Sequence, residues 1–420
     1  MDARLEAGHD EAKKRGYSRR NVLGTALAAS ALVAFPAVGA AAADPLAGRR
    51  LIVVFLRGGL DGLALAPAYG DPAYTEARGH LALPPPGSAG GALKLDGTFA
   101  LHPALTAIQP WYHAGELALV HAVASAHRGR SHFEAQDLIE NGTPTPYGAA
   151  DGWLNRALGA VTSEGRRLGL ALGHTTPLLL RGPAPVMAWS PSNFPKGDPD
   201  FLARLADLYE GDRVLGPALA DALKGQALSA EVMGDGRGMK GGRGGYRGLQ
   251  AFRIAAKAAG ELLAAANGPR VAVIELGGWD SHANQGTSEG QIAALLEGLG
   301  EGLVALKDAL GSAWRTSAIL AMTEFGRMVA PNGTGGTDHG TAGAALLAGG
   351  AVNGGRVIAD WPGLARGQLF EGRDLKPTAD LRAVFKAVLR DHLRLADAAI
   401  EDRAFPQSRA ARALDGLFRA

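Results

Sequence analysis

Five short stretches of the chain are almost wholly apolar at consecutive positions: Leu51–Leu56, Leu117–Val123, Val271–Leu276, Ser317–Met322 and Ala344–Ala348. They do not alternate apolar with polar, so they predict strands covered on both faces, as in parallel sheets sandwiched by helices. Between them the period changes. Gly248–Ala266 and Glu289–Leu310 carry apolar residues at three-and-four spacing, which predicts amphipathic helices. A last helix is expected to start near Thr378 and run through Phe385. Strands alternating with helices predict an α/β fold: a doubly wound, mostly parallel sheet with helices on both faces, spanning 49–420.

The first 43 residues follow another pattern. Ser18-Arg19-Arg20-Asn21-Val22-Leu23 places paired arginines directly before the apolar run Val22–Phe35, and small residues follow at Val38-Gly39-Ala40 and Ala41-Ala42-Ala43. This resembles a twin-arginine leader. The apolar core is short, alanine-rich and closed by Pro36, so no stable membrane span is expected after cleavage. The expected partner is the twin-arginine translocase, and the expected location is periplasmic or extracellular. That route exports folded proteins, which suits a chain loaded with a cofactor before export.

Composition narrows the chemistry. Lys and Arg total 43 against 41 Asp and Glu, so no whole-protein field favours a nucleic-acid partner. The Gly/Arg-rich stretch 234–248 reads as a solvated insertion rather than a nucleic-acid site. There is no cysteine. Disulfides and thiolate ligands are therefore excluded, and any metal must be held by imidazole nitrogen and carboxylate oxygen.

Five polar segments follow apolar runs, where ligands collect at the carboxyl ends of parallel strands. Arg57-Gly58-Gly59-Leu60-Asp61-Gly62 presents Asp61 in a glycine loop. Gly277–Gln285 contains Asp280 and His282, two apart, which an extended chain points to one side while Ser281 faces the other. Thr323–Arg327 offers Glu324, as a metal ligand or as the orienting partner of a ligating histidine, and Arg327, to pair with it or bind an anion. Gly335–Thr341 brackets the adjacent pair Asp338 and His339 with glycines, so that both can turn toward one cleft. Arg130–Asp137 carries Ser131, either a nucleophile at a helix N-terminus or the first residue of an S-x-x-E capping box with Glu134. His132 follows it, and His121 and His127 stand close by in sequence.

Together the motifs RGGLDG, HPAL (His102–Leu105), SHFEAQD, GWL (Gly152–Leu154), GGWDSHANQ, TEFGR, GTDHGTAG and DWPGL resemble the domain-of-unknown-function 1501 family. Its members are similar in fold to the alkaline phosphatase and sulfatase superfamily. The resemblance implies one or two divalent metal ions (zinc, manganese, magnesium or calcium). Asp61, Asp280, His282, Glu324, Asp338 and His339 would be ligands, Ser131 and His132 catalytic groups, and Arg57 and Arg327 anion-binding groups. It departs from alkaline phosphatases in spacing Asp280 and His282 two apart rather than four, and its only histidine after the Asp-His pair is His392. The implied activity is metal-dependent hydrolysis of phosphate or sulfate esters. The alternative is a non-catalytic exported binding protein that retains the fold.

Overall fold

The computed structural model describes residues 44–161, 167–173, 175–190, 199–209 and 247–419, with a few isolated positions between 211 and 223. The expected leader and most of the Gly/Arg-rich stretch (234–246) lie outside the described residues.

Nine strands form one sheet: β1 (Arg50–Arg57), β2 (Leu117–Ala124), β3 (Gly169–Leu172), β4 (Val186–Trp189), β5 (Val271–Gly277), β6 (Ser317–Met322), β7 (Gly343–Ala348), β8 (Arg356–Ile358) and β9 (Ala379–Asp380). Their order is β8-β2-β7-β6-β1-β5-β3-β4, with β9 also on β2. Pairing is parallel except along β7, which runs antiparallel to both β2 and β6. β1 is central, in register with β5 from Leu51 opposite Val271 and with β6 from Arg50 opposite Ser317.

The continuous apolar strands have the cause the pattern predicts. Leu51, Val53 and Phe55 face one core, with Leu138, Trp153 and Phe385. Ile52, Val54 and Leu56 face another, with Phe252, Leu296 and Leu303. Alternate residues of one strand thus serve opposite cores. The principal helices are α1 (Gly62–Leu65), α2 (His132–Asn141), α3 (Trp153–Gly159), α4 (Arg247–Ala264), α5 (Gln291–Leu310) and α6 (Leu381–Ala387). α4 and α5 cover the second core, while α2, α3 and α6 cover the first. The last helix begins slightly later than expected, because Asp380 caps it by accepting from the Arg382 amide. No helix among the described residues is long and apolar enough to cross a membrane.

His121, which stands near the site in sequence, and His392, the one histidine after the Asp-His pair, both belong to the packing. A bulge in β2, with Ala122 at φ +52°, accompanies the placement of His121 between Phe99 and Trp361, at ring distances of 5.2 and 5.1 Å. His392 donates to the carbonyl of Arg50, at the amino end of β1 and so at the far end of that strand from the glycine loop. A π-helical turn, Val388–His392, carries it there.

Candidate metal centre

The loops leaving the carboxyl ends of β1, β5 and β6 converge. Gly58 has φ +122°, and a Cβ on it would lie 2.6 Å from the Asp280 amide, so only glycine lets these two loops meet. A Cβ on Gly336 would lie 2.3 Å from the His282 carbonyl carbon, so the loop bearing Asp338 and His339 also approaches backbone to backbone. Trp279 anchors the middle loop from below, fully buried and donating to the Leu276 carbonyl at 2.9 Å.

In that loop the side chains alternate as an extended segment requires. Ser281 is buried and donates to Gln285 at 2.8 Å, whereas Asp280 and His282 face outward together, with His282 Nε2 3.0 Å from Asp280 Oδ1. His339 joins from the glycine-bracketed loop, its Nε2 3.1 Å from Asp280 Oδ1 and 3.0 Å from His282 Nε2. His132 arrives from the first turn of α2, its Nε2 3.4 Å from Asp280 Oδ2. Ligand atoms of His132, Asp280 and His339 all lie within 4.8 Å of one another.

The opposite ring nitrogens decide what these groups can do. His132 Nδ1 lies 2.8 Å from the Glu324 carboxylate, His282 Nδ1 3.2 Å from Asp338, and His339 Nδ1 2.8 Å from the Arg130 carbonyl. Each of those partners only accepts, so each Nδ1 carries the proton, and a neutral ring then presents its Nε2 lone pair. Three such lone pairs meet one carboxylate. The fixed positive charge on this carboxylate is Arg327, whose Nη1 donates to Asp280 Oδ1 at 2.6 Å. His132 Nε2 is buried without a hydrogen-bond partner. Acceptors packed against acceptors call for a cation, and imidazole nitrogen with carboxylate oxygen is a donor set that zinc and other first-row metals take. Donors 2.0–2.1 Å from one ion lie at most roughly 4.2 Å apart, close to the spread of the His132, Asp280 and His339 atoms.

The surroundings keep Glu324 and Asp280 ionised and favour the neutral form of His339. Glu324 is fully buried. Burial opposes its charge, but hydrogen bonds from His132, Gln136 and the Gly58 amide hold its carboxyl below the ordinary range. The bond to Glu324 raises the His132 pKa, while burial lowers that of His339. For Asp280, burial is outweighed by the bond and charge of Arg327 together with His282 and His132, and its pKa falls.

Several expected residues stand elsewhere. Asp61 is not with the cluster. It is buried, it accepts from the Leu63 and Ala64 amides as the cap of α1, and its other oxygen takes Arg78 Nη2 at 2.6 Å and Gln285 Nε2 at 2.7 Å. Four donors, one of them a guanidinium, leave no oxygen for a metal. Glu324 and Asp338 each stand behind a histidine rather than beside the others. Arg57 and Arg327 do not face an open anion site: Arg57 bonds Glu140, Glu275 and Gln136, and Arg327 is buried on Asp280 and Thr337. His127 pairs with Glu134 at 3.3 Å. Ser131 occupies the cap position of α2 with extended backbone, but its side chain caps no amide, so the S-x-x-E reading is not realised.

Sequence reasoning missed Arg78, Gln136 and Asn332, which donates to Asp338 at 2.9 Å. Only Gln136 carried a signal, standing four residues after His132 on one helix face.

The model of the family described as "Protein of unknown function (DUF1501)" matches residues 48–404. The chain belongs to that family. Comparison with curated proteins gave no match. Among solved structures, this family member is similar to Ps i-CgsB in complex with k-i-k-neocarrahexaose, at 11% identity over 87% of this chain and 77% of that one, TM-score 0.40. It is also similar to a phosphonate monoester hydrolase of Agrobacterium radiobacter, at 13% identity over 83% and 74%, TM-score 0.32. Likeness to murine ectonucleotide pyrophosphatase/phosphodiesterase 5 in complex with AMP is 9% identity over 66% of this chain and 57% of that one, TM-score 0.29. The chain thus spans little more than half of the murine protein.

Proposed function

We propose that this chain is exported through the twin-arginine translocase and acts outside the cytoplasm as a hydrolase of phosphate or sulfate esters with one divalent metal per chain. One observation carries the reading: three imidazoles, each with Nδ1 committed to an acceptor, turn Nε2 toward the Asp280 carboxylate. His132, His282, His339 and Asp280 would hold the ion, with zinc the best match to this donor set. When bound, it would supply Lewis-acid polarisation of an ester oxygen. Asp61 already lies under Arg78, which favours one ion over two.

The chain's own groups supply the rest. Ser131 stands between Arg130, whose carbonyl accepts from His339, and His132. Its hydroxyl, at the start of α2, is the nucleophile in this reading. Ser131→Ala is expected to abolish turnover of p-nitrophenyl phosphate or p-nitrophenyl sulfate while metal content stays unchanged; wild-type rates would exclude that role.

Metal content by elemental analysis of the exported protein tests the centre itself, beside an Asp338→Ala/His339→Ala control. About one ion per chain is expected in the wild type. The control should bind more weakly than the roughly 10–100-fold that loss of an orienting partner alone costs. No metal in either protein would end the hydrolase reading.

The engagement of Arg57 and Arg327 elsewhere favours a second reading, an exported binding protein on the same fold. Binding of inorganic phosphate and sulfate to the metal-loaded protein separates the two. An ester hydrolase requires one of these anions to bind and to be displaced by its ester.

A further inference from the structure

The face of α2 that meets the sheet bears His132, Gln136 and Glu140, at successive spacings of four. Each makes a directed polar contact. His132 reaches Glu324; Glu140 takes Arg57 at 2.8 Å and also accepts from the Leu179 amide at 3.0 Å. Gln136 lies between them and touches both ends. It accepts from Arg57 Nη1 at 2.8 Å through Oε1 and donates to Glu324 Oε1 at 2.8 Å through Nε2. The amide cannot be reversed, because a flip would set its NH2 against a guanidinium and its oxygen against a carboxylate.

We infer that Gln136 is a positioning residue for the metal centre: it fixes the Glu324 carboxylate on His132 Nδ1, and Arg57 fixes Gln136. The inference rests on the metal reading above for its consequence, though not for its geometry. Glu324 Oε1 receives three donors, from His132, Gln136 and the Gly58 amide at 2.9 Å, while Oε2 takes the Thr323 hydroxyl at 2.9 Å. Gln136 is the member of this set that Arg57 orients from outside the site. Arg57 is rigid enough to impose it. Its guanidinium lies 4.1 Å over the Phe55 ring and is shared by Glu140 and Glu275. The line Arg57–Gln136–Glu324–His132 therefore converts a charge cluster at the end of β1 and β5 into the direction of one imidazole. Arg57, which reads in the sequence as an anion site, acts here through a neutral amide.

Gln136→Leu keeps the volume and removes both contacts. With zinc as probe, read by competition with a chromophoric chelator, its affinity is expected to fall about 10–100-fold, the usual effect of losing an orienting partner. Arg57→Met should give a smaller drop in the same direction, Arg57→Lys should restore most of it, and the double variant should be no weaker than Gln136→Leu alone. A second readout needs no metal: in 15N-histidine-labelled apo-protein, His132 should be the Nδ1–H tautomer, and in Gln136→Leu a mixture. Zinc affinity within twofold of wild type and an unchanged tautomer in Gln136→Leu would overturn the inference. If wild-type protein binds no zinc but the tautomer responds, positioning stands and the metal reading falls. Should Gln136→Leu fail to fold, the Arg57→Met and Arg57→Lys pair decides: a tautomer and affinity indifferent to both would overturn it.

Discussion

Replacing Arg78 by methionine is expected to destabilise the folded chain by about 3–5 kcal/mol, the effect of stripping one partner from a buried ion pair. Arg78 and Asp61 are almost wholly inaccessible, and Nη2 lies 2.6 Å from Oδ2. The arginine also donates to the Val329 carbonyl at 2.9 Å. Burial alone would push the Asp61 carboxyl upward, and Arg78 with Gln285 holds it below its ordinary range. Without the guanidinium, a carboxylate is left in the interior with only amide donors. The check is the urea midpoint of metal-free protein at unchanged slope. Arg78→Met/Asp61→Asn should recover more than half of the loss, because the stranded charge goes with its partner. A loss below about 1 kcal/mol would mean that the pair contributes little. The metal count should stay at one in the folded variant; a second ion would make Asp61 a latent ligand.

Stability of the metal-free protein is expected to drop as pH falls from about 6.5 to about 4. Two fully buried histidines lead this, His121 and His392, each with its pKa pushed down to about 4 chiefly by burial, and burial lowers that of His102 as well. His121 Nε2 donates to the Ala66 carbonyl at 3.0 Å and Nδ1 accepts from the Ala122 amide at 2.8 Å, so a second ring proton would face a donor. The unfolded chain takes up these protons near pH 6.5 and the folded chain only near 4. Within that window falling pH favours the unfolded state, by about 3 kcal/mol per histidine in all. His132 works oppositely, since its raised pKa adds stability below 6.5 that is lost as pH rises through the raised value. His392→Gln keeps a donor for the Arg50 carbonyl and removes one titration, so its stability should fall by roughly half as much. A variant curve that superimposes on the wild type would show that His392 is not held neutral.

The five strands in the middle of the sheet were legible because burial on both faces leaves a mark in every residue, whereas β3, β4, β8 and β9 were not expected. The expected Leu51–Leu56 and the observed Arg50–Arg57 differ only at their ends. The long helices were legible for the same reason, through the apolar stripe each turns to the second core. The reversed direction of β7 was not, since an apolar run looks alike whichever way it enters a sheet. Within the site, the shared side of Asp280 and His282 followed from extended geometry alone. The assignments that failed depend on distant partners. Ser131 and Glu134 fit a capping box, but Glu134 turns to His127. Arg57 and Arg327 fit anion sites, yet their carboxylates come from Glu140, Glu275 and Asp280, none of them near in sequence.

What the sequence determined by itself is the α/β class, the central strands, the long helices and the loops that carry the polar residues. These follow from local periodicity, which each segment expresses without reference to the others. Only the tertiary structure decided that His132, His282 and His339 meet at Asp280, that Glu324 and Asp338 stand behind two of them, and that Asp61 answers to Arg78. A ligating lone pair is aimed by whatever the other ring nitrogen bonds, and those partners arrive from loops 56 to 209 positions away.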